Sequence, residues 1–466
     1  MGSGMRARRL AALKSADESR EPKFVIAARE LVRKAPSLRP QYCQNPLCAP
    51  CDGAEFSVGS RWVADARALC DWDAMPPALD VAHPEGGAVP ADRGARKRQQ
   101  LLNVALFLAP ALRLNPSARV VDFGAGGGHQ TLFLARAFPD ATFALVDLKR
   151  RSLDVAERRV RKAGLTNVRI VHGRIEDFHE DFDVGVALHA CGGASDAALA
   201  RCVAKKATFV VAPCCVGKIA LAVTTRADGV DDADGVAESE APTYPRSRAA
   251  RRVLAADRYA AVARAADSAR ANAEDARGDA SLPAPHGADL DARDSSEEEE
   301  DERLEGLSVA SASMPRVDDD GDAIDDTIDA GRGTRTLSFG ERALRAARAE
   351  KRLRRRPGAP RASAAVSAER DAQRRACKLL IESDRLAAAR EAGYRTWLAR
   401  MHPGSCTPKN DVLVGVFAET AALAVERGAS GGEATARGRR LLEEYEAGLG
   451  TATDPPAEAF FESLIG

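Results

Sequence analysis

Apolar positions along the chain fall into two alternating rhythms. Short apolar runs occupy Arg119–Phe123, Phe143–Asp147, Val168–His172, Phe182–Leu188 and Thr208–Ala212. Between them lie stretches with helical spacing: Leu132, Phe133, Ala135 and Ala137 ahead of Pro139, then Leu153, Ala156 and Val160 within Arg150–Ala163, then Ser195–Val203. Strands at this spacing, linked by helices, build a parallel sheet whose ligands collect at the carboxyl ends of the strands. A helix over Ala372–Ala392, ended by Gly393, precedes two more strands, Tyr394–Met401 and Asp411–Phe417. These supply the last, partly antiparallel pair of a seven-stranded sheet. Outside this frame the pattern predicts an amphipathic helix carrying Phe24, Val25, Ala28, Leu31 and Val32, and a helix that opens basic at Arg96 and ends near Pro110. It also predicts a helix over Arg248–Ala265 and a short charged one over Ala436–Glu446. Asp71 to Pro90, interrupted by Pro76, Pro77 and Pro84, reads as loop.

The first two runs frame the most informative stretch, Arg-Val-Val-Asp-Phe-Gly-Ala-Gly-Gly-Gly-His from Arg119 to His129, followed by Phe143–Asp147. Gly124, Gly126 and Gly128 remove Cβ atoms where the backbone must turn and where a ligand must touch it, ahead of a helix start with unpaired N–H groups. Asp147, at the carboxyl end of the second run, can accept both hydroxyls of a ribose, and hydrogen bonds to a charged acceptor contribute about 1.5–3 kcal/mol each. A dinucleotide site asks for Gly-x-Gly-x-x-Gly. The spacing here is Asp-x-Gly-x-Gly-x-Gly from Asp122, which resembles the S-adenosylmethionine loop of class I methyltransferases, whose ligand has no phosphate and needs an acid near its amino-acid moiety. The expectation is an α/β, Rossmann-like class I methyltransferase sheet, mostly parallel with an antiparallel last strand, and methyl transfer rather than hydride transfer. The plain alternative is a glycine-rich turn with no ligand. Candidate cofactor contacts are Asp122, Gly124, Gly126, Gly128, Asp147 and Leu148, with Ile175 over the adenine and Glu176 beside it.

Composition changes the picture mainly outside this frame. The formal net charge of the 466 residues is +0, from 68 basic and 68 acidic side chains, but acids crowd Asp289–Asp329 and bases crowd Arg342–Arg361. Ala271–Thr334 cannot bury enough apolar surface to order itself, so a solvated insertion is expected to split one domain. The predicted organisation is an N-terminal region over 1–90, the first part of the methyltransferase core over 91–225, a low-complexity insertion with helices over 226–370, the last core helix and strands over 371–418, and a tail over 419–466. The Arg342–Arg361 run would either meet RNA phosphates or pair with the acidic insertion. No apolar run approaches a membrane span, so no membrane partner is expected. The Arg-rich N-terminus looks like an organelle-import segment, but Asp17, Glu18, Glu21 and Glu30 argue against import and favour the cytoplasm.

Cysteines add two further sets of candidates. Cys43, Cys48 and Cys51, with Cys70 further along, could bind zinc as four thiolates, and the first three match a plant-type iron–sulfur spacing, but no second Cys-x-x-Cys closes the site and unligated cysteines are the leading reading. The other set lies at strand ends: Leu188-His-Ala-Cys-Gly192 and Pro213-Cys-Cys-Val-Gly217. Val186–Asp196 and Ala212–Ile219 resemble the methyltransferase region of the glutathione S-transferase C-terminal domain-containing protein family. So do Arg96–Asn103, Asp122–His129 and Pro403–Val416, and the likeness covers about 71–220 and 371–418. A more distant similarity is to tRNA 2'-O-methyltransferases with a His-x-Cys-Gly after the fourth strand and paired cysteines after the fifth.

The resemblance implies an S-adenosylmethionine-dependent methyltransferase-like protein, with RNA, and tRNA in particular, as the leading acceptor. Residues 1–90 show no glutathione S-transferase-like helical pattern, and Arg174 stands where many methyltransferases place an acid. His189 is the candidate base or acceptor-orienting residue, with a satisfied strand-end histidine as the alternative. Cys214 and Cys215 are read as small buried residues near the cofactor. A non-catalytic S-adenosylmethionine-binding protein, or an RNA-binding regulatory protein using Arg96–Arg98 and the later basic run, is the competing class.

Overall fold

The computed structural model describes residues 22–43, 45–48, 58–87, 89–188, 190, 192–214, 216, 219–220, 242–267, 364–407, 409–418 and 432–449. His189, Cys191, Cys215, Cys51 and the Arg342–Arg361 run lie outside the described residues, as does nearly all of the acidic insertion. Two compact units emerge, one of residues 1–297 with 370–466 and one of 298–369. The first contains every strand of the sheet.

The helices α1 (Lys23–Lys34), α2 (Val58–Leu69) and α3 (Ala91–Leu114) precede the sheet. Strands and helices then alternate as β1 (Arg119–Phe123), α4 (Leu132–Ala137), β2 (Thr142–Asp147), α5 (Arg150–Lys162), β3 (Val168–His172), β4 (Val184–Ala187), α6 (Gly193–Lys205) and β5 (Thr208–Val211). Next come α7 (Arg248–Arg251), α8 (Ala256–Asp267), α9 (Ala364–Glu391), β6 (Tyr394–Arg400), β7 (Asp411–Phe417) and α10 (Gly432–Leu449). The seven strands form one sheet in the order β3-β2-β1-β4-β5-β7-β6. All pairings are parallel except those of β7 with β5 and with β6.

Each strand sends alternate residues into two cores, as a two-residue side-chain period requires. Val121, Phe123, Ala144, Val146, Phe209, Val211 and Leu413 face a core shared with α1, α6, α8 and α9. Val120, Phe143, Leu145, Val184, Val186, Val210, Val412 and Val414 face a second, shared with α2, α3, α4 and α10. The stretch before Arg96 is therefore more than one amphipathic helix. Trp62 on α2 is buried against Tyr445 of α10, with ring centroids 5.1 Å apart, and Cys43 N–H donates to the Leu398 carbonyl at 2.8 Å.

Two predicted boundaries move for identifiable reasons. α3 runs through Pro110 to Leu114 because its length is buried against the sheet and α2. Tyr445 Oη donates at 2.5 Å to the Phe107 carbonyl, in the turn that the proline ring crowds. The helix expected over Arg248–Ala265 breaks into α7 and α8. Ser247 caps α7, its Oγ accepting from Ala250 N–H at 3.0 Å, while Asp384 of α9 accepts from Arg246 N–H, Ser247 N–H and Tyr259 Oη. That grip spans more than a hundred residues and leaves no local trace.

Candidate cofactor site

Strand order reverses between β1 and β4, so the crevice at their carboxyl ends is where an open α/β sheet binds its ligand. β1 ends at this edge and the chain turns through Gly124, Gly126 and Gly128, with φ of 73°, 53° and 81°. That left-handed path costs an L side chain strain that glycine escapes. Gly124 and Ala125 N–H donate to the Val146 carbonyl of β2 at 2.8 and 3.2 Å. A Cβ built on Gly124 or Gly126 meets nothing within 4 Å, so their outer side is open space, whereas one on Gly128 would strike Leu132 at 2.8 Å.

The two acids that bracket the loop have different surroundings. Asp147 Oδ2 accepts the Gly126 N–H at 2.8 Å and Oδ1 accepts the Lys149 N–H at 2.8 Å. Each oxygen keeps a lone pair for a ribose hydroxyl. Asp122 is 1% exposed and lies beneath the loop, taking hydrogen bonds from Gln130 Nε2 and from Thr131 Oγ1, the latter at 2.7 Å. Burial pushes its carboxyl up to about 7 against the pull of those two donors, with the nearby Asp147 charge adding to the rise. Asp122 therefore anchors the loop from inside. Gln130, Thr131 and Arg159, whose guanidinium reaches the Gly127 carbonyl, stood out in no sequence pattern.

Leu148 is 64% exposed beside Asp147, and its carbonyl accepts from His172 Nε2 at 3.1 Å. Ile175 lies in the first core near Phe178, and Glu176 is half-buried, 3.7 Å from Arg174. Asp147, Leu148, the glycines and Asp122 thus meet around one turn, with Ile175 and Glu176 after β3 on the adjoining strand end.

Beyond β4, Leu188 and Ala190 are buried on either side of His189. The turn into α6 is held from α9. Arg385, wholly buried, donates Nε to Asp196 Oδ1 at 3.1 Å, Nη2 to Asp196 Oδ2 at 2.7 Å and to the Gly192 carbonyl at 3.2 Å, and Nη1 to Glu382 Oε2 at 2.9 Å. Tyr244 Oη also donates to Asp196, at 3.0 Å. Cys214, after β5, is buried.

Two of the motifs of the resemblance, Arg96–Asn103 and Pro403–Val416, are tied together by hydrogen bonds. Asn103 of α3 donates to the His402 carbonyl at 2.8 Å and accepts from His402 N–H at 2.9 Å, and Gln100 donates to the Cys406 carbonyl at 3.0 Å. Lys97, one turn earlier, lies close enough to Asp122 and His129 to influence both electrostatically. Arg98 is committed elsewhere: it forms a fork to Asp80, with bonds of 3.1 and 2.6 Å, and lies 5.4 Å over the Trp72 ring. Of the candidate metal ligands, Cys43 and Cys70 are buried in the second core, and burial pushes both thiols up to about 12. Cys48 is exposed. Among the described residues no three His, Cys, Asp or Glu side chains gather as a metal site, and the zinc and iron–sulfur expectations rest on the sequence spacing alone.

Strand order, the antiparallel β7 and the glycine loop define a class I methyltransferase-like domain. The family model described as "Methyltransferase domain" matches residues 96–221. The resemblance to the methyltransferase region of the glutathione S-transferase C-terminal domain-containing proteins holds. The Bos taurus protein of that name is 33% identical over 205 residues, covering 44% of this chain and 29% of the relative. The Homo sapiens protein is 38% identical over 149 residues, covering 32% and 23%, and the Drosophila melanogaster homolog 27% identical over 351 residues, covering 75% and 40%. The chain thus matches less than half the length of each of these relatives. Among solved structures, the S-adenosylmethionine-bound amino pentose methyltransferase CalS10 from Micromonospora echinaspora is 24% identical, with a TM-score of 0.21 over 26% of this chain and 53% of that one. No described helix is long and apolar enough to cross a membrane.

Proposed function

We propose that the cleft at the carboxyl ends of β1 and β2 binds S-adenosylmethionine and that the protein is a methyltransferase acting on RNA. The observation that carries the cofactor reading is the open space over Gly124 and Gly126, bounded by an Asp147 carboxylate already held in place by Gly126 N–H. Asp147 would hold the ribose hydroxyls, Leu148 would cover one side of the adenine, and the glycine loop would face the amino-acid portion. When bound, the cofactor supplies a methyl group activated by its sulfonium. The residues of this chain then have to align the acceptor and accept the proton that its O–H or N–H loses. His189, in the β4–α6 connection, is proposed for that role. RNA is the acceptor class because Arg93, Arg96 and Lys97 share the first turns of α3, with Lys97 close to the loop, and each charge adds to affinity for a phosphate backbone.

Calorimetry with S-adenosylmethionine tests the cofactor assignment. Wild type should bind, and Asp147→Ala should lose about 10- to 100-fold in affinity, from one or two charge-assisted hydrogen bonds. Equal affinity of the two proteins removes Asp147 from the site. A labelled methyl donor incubated with cell extract, then fractionated into RNA, protein and small molecules, tests the acceptor; label confined to protein or small molecules rejects RNA.

A further inference from the structure

Arg159 of α5 plays no part in the cofactor contacts assigned so far, yet its guanidinium ties its own helix to two other segments. It is 3% exposed. Nη1 donates to the Gly127 carbonyl at 2.6 Å and Nη2 to the Gly86 carbonyl at 2.8 Å. The same Gly86 carbonyl lies 2.7 Å from His129 Nε2. A carbonyl only accepts, so Nε2 carries the proton and Nδ1 faces Arg159 Nη1, 3.4 Å away, as an acceptor. The helix, the glycine loop and the turn Pro84–Gly86 are thereby closed into one knot.

Gly127 takes no part in the alternating set of glycines, and the knot accounts for it. A Cβ there would stand 2.3 Å from Arg159 Nη1 and 3.4 Å from Val155 Cγ1. Its φ is outside the left-handed region, so space for the guanidinium is what the position requires. The loop it belongs to contains Gly124, Gly126 and Gly128, and glycines lose more backbone freedom on ordering than any other residue. A loop ordered in advance spares the ligand that cost.

We propose that Arg159 is a positioning residue of the cofactor site: by clamping the Gly127 carbonyl to the Gly86 turn it fixes the path of Gly124–Gly128 before the ligand arrives. Its consequence for affinity rests on the proposed binding of S-adenosylmethionine, but the ordering of the loop does not. Arg159→Lys keeps the charge and loses the two-pronged reach. Gly127→Ala keeps Arg159 and evicts its guanidinium, so it reads the same contact in a second background. Each single variant should bind S-adenosylmethionine about tenfold more weakly, and the double variant should be about as weak as either alone, because both remove one interaction. In the unliganded protein, both should raise amide hydrogen exchange at Gly124–Gly128 while the β2 and β4 amides keep their wild-type protection. Unchanged affinity in Gly127→Ala, single effects that multiply to about a hundredfold, or exchange that rises equally through the whole sheet overturns the proposal. If wild type binds no S-adenosylmethionine, the cofactor assignment falls and the exchange measurement alone decides whether Arg159 orders the loop.

Discussion

Asp122 and His129 sit seven positions apart in the glycine loop and resist ionisation for the same reason, which is burial. Their effects on stability run in opposite directions. The Asp122 carboxyl is pushed up to about 7, so the folded protein holds that proton more tightly than the unfolded chain does. Its contribution is complete below the ordinary carboxylate pKa of about 4 and is lost as pH rises through about 7. For His129, burial first and then the Arg159 and Lys97 charges hold the pKa well below the ordinary value, against the Gly86 hydrogen bond. Its contribution is complete above the ordinary histidine value of about 6.5 and declines as pH falls below it, because only the unfolded chain takes up the proton readily. Between about pH 4 and 6.5 the two contributions slope in opposite directions and offset each other, so the wild-type melting temperature should change little from pH 5 to 6.5 and fall slightly toward pH 7. Asp122→Asn should leave a melting temperature that rises with pH up to about 6.5, and His129→Gln one that falls as pH rises to about 7. Variant profiles that keep the wild-type shape assign the titration to other groups. The three alternating glycines and the acids were legible in sequence, since turn chemistry and a strand-ending carboxylate leave a fixed spacing. The inward orientation of Asp122 was not, because Asp-x-Gly fixes where the carboxylate starts and not that it turns to meet Gln130 and Thr131.

At the scale of elements, the strands were readable nearly to the residue, and the helices were readable where one face is apolar. α9 shows where that reading stops. Lys378, Glu382, Ser383, Asp384 and Arg385 are all buried, although a run of charges on a helix ordinarily marks a solvated face. Here the partners come from other elements: Asp411 and Lys378 pair, Tyr42 Oη donates to Asp411 at 2.6 Å, and Arg385 forks onto Asp196. Burial opposes charge on Asp411, but Lys378 and Arg400 keep its pKa below the usual value. Removing one partner of such a pair is the costly change, because the other is left buried and uncompensated. Arg385→Met should lower the unfolding free energy by about 3–5 kcal/mol, read from urea denaturation at pH 7. Adding Asp196→Asn should recover part of that loss, since Tyr244 can still donate to the remaining oxygen. A loss below about 1 kcal/mol in the single variant shows that water or Arg246, 3.4 Å from Asp196, replaces the missing guanidinium.

For the molecule as a whole, the family match over residues 96–221 marks the cofactor half but not a complete core. β5 spends its outer edge on β7, with Phe209 opposite Gly415 and Val211 opposite Leu413. The first core draws Val25, Leu31, Tyr259, Leu380 and Ile381 from α1, α8 and α9, and the second draws Trp62 and Tyr445 from α2 and α10. Sequence periodicity could not assign these flanking helices to either face, because which side of a sheet a helix covers is decided by the whole packing. An excised 96–221 fragment therefore leaves the β5 edge unpaired and both faces partly bare, a combination that favours association over folding. The fragment should show no cooperative thermal transition, bind a hydrophobic dye, and fail to bind S-adenosylmethionine at concentrations that saturate the full chain. A sigmoidal melt with a dispersed amide spectrum would instead make the flanking helices a covering added to a domain that is already complete. With both arms run on the full chain as well, loss of binding traces to the missing strands and helices, since every glycine and acid of the loop is present in the fragment.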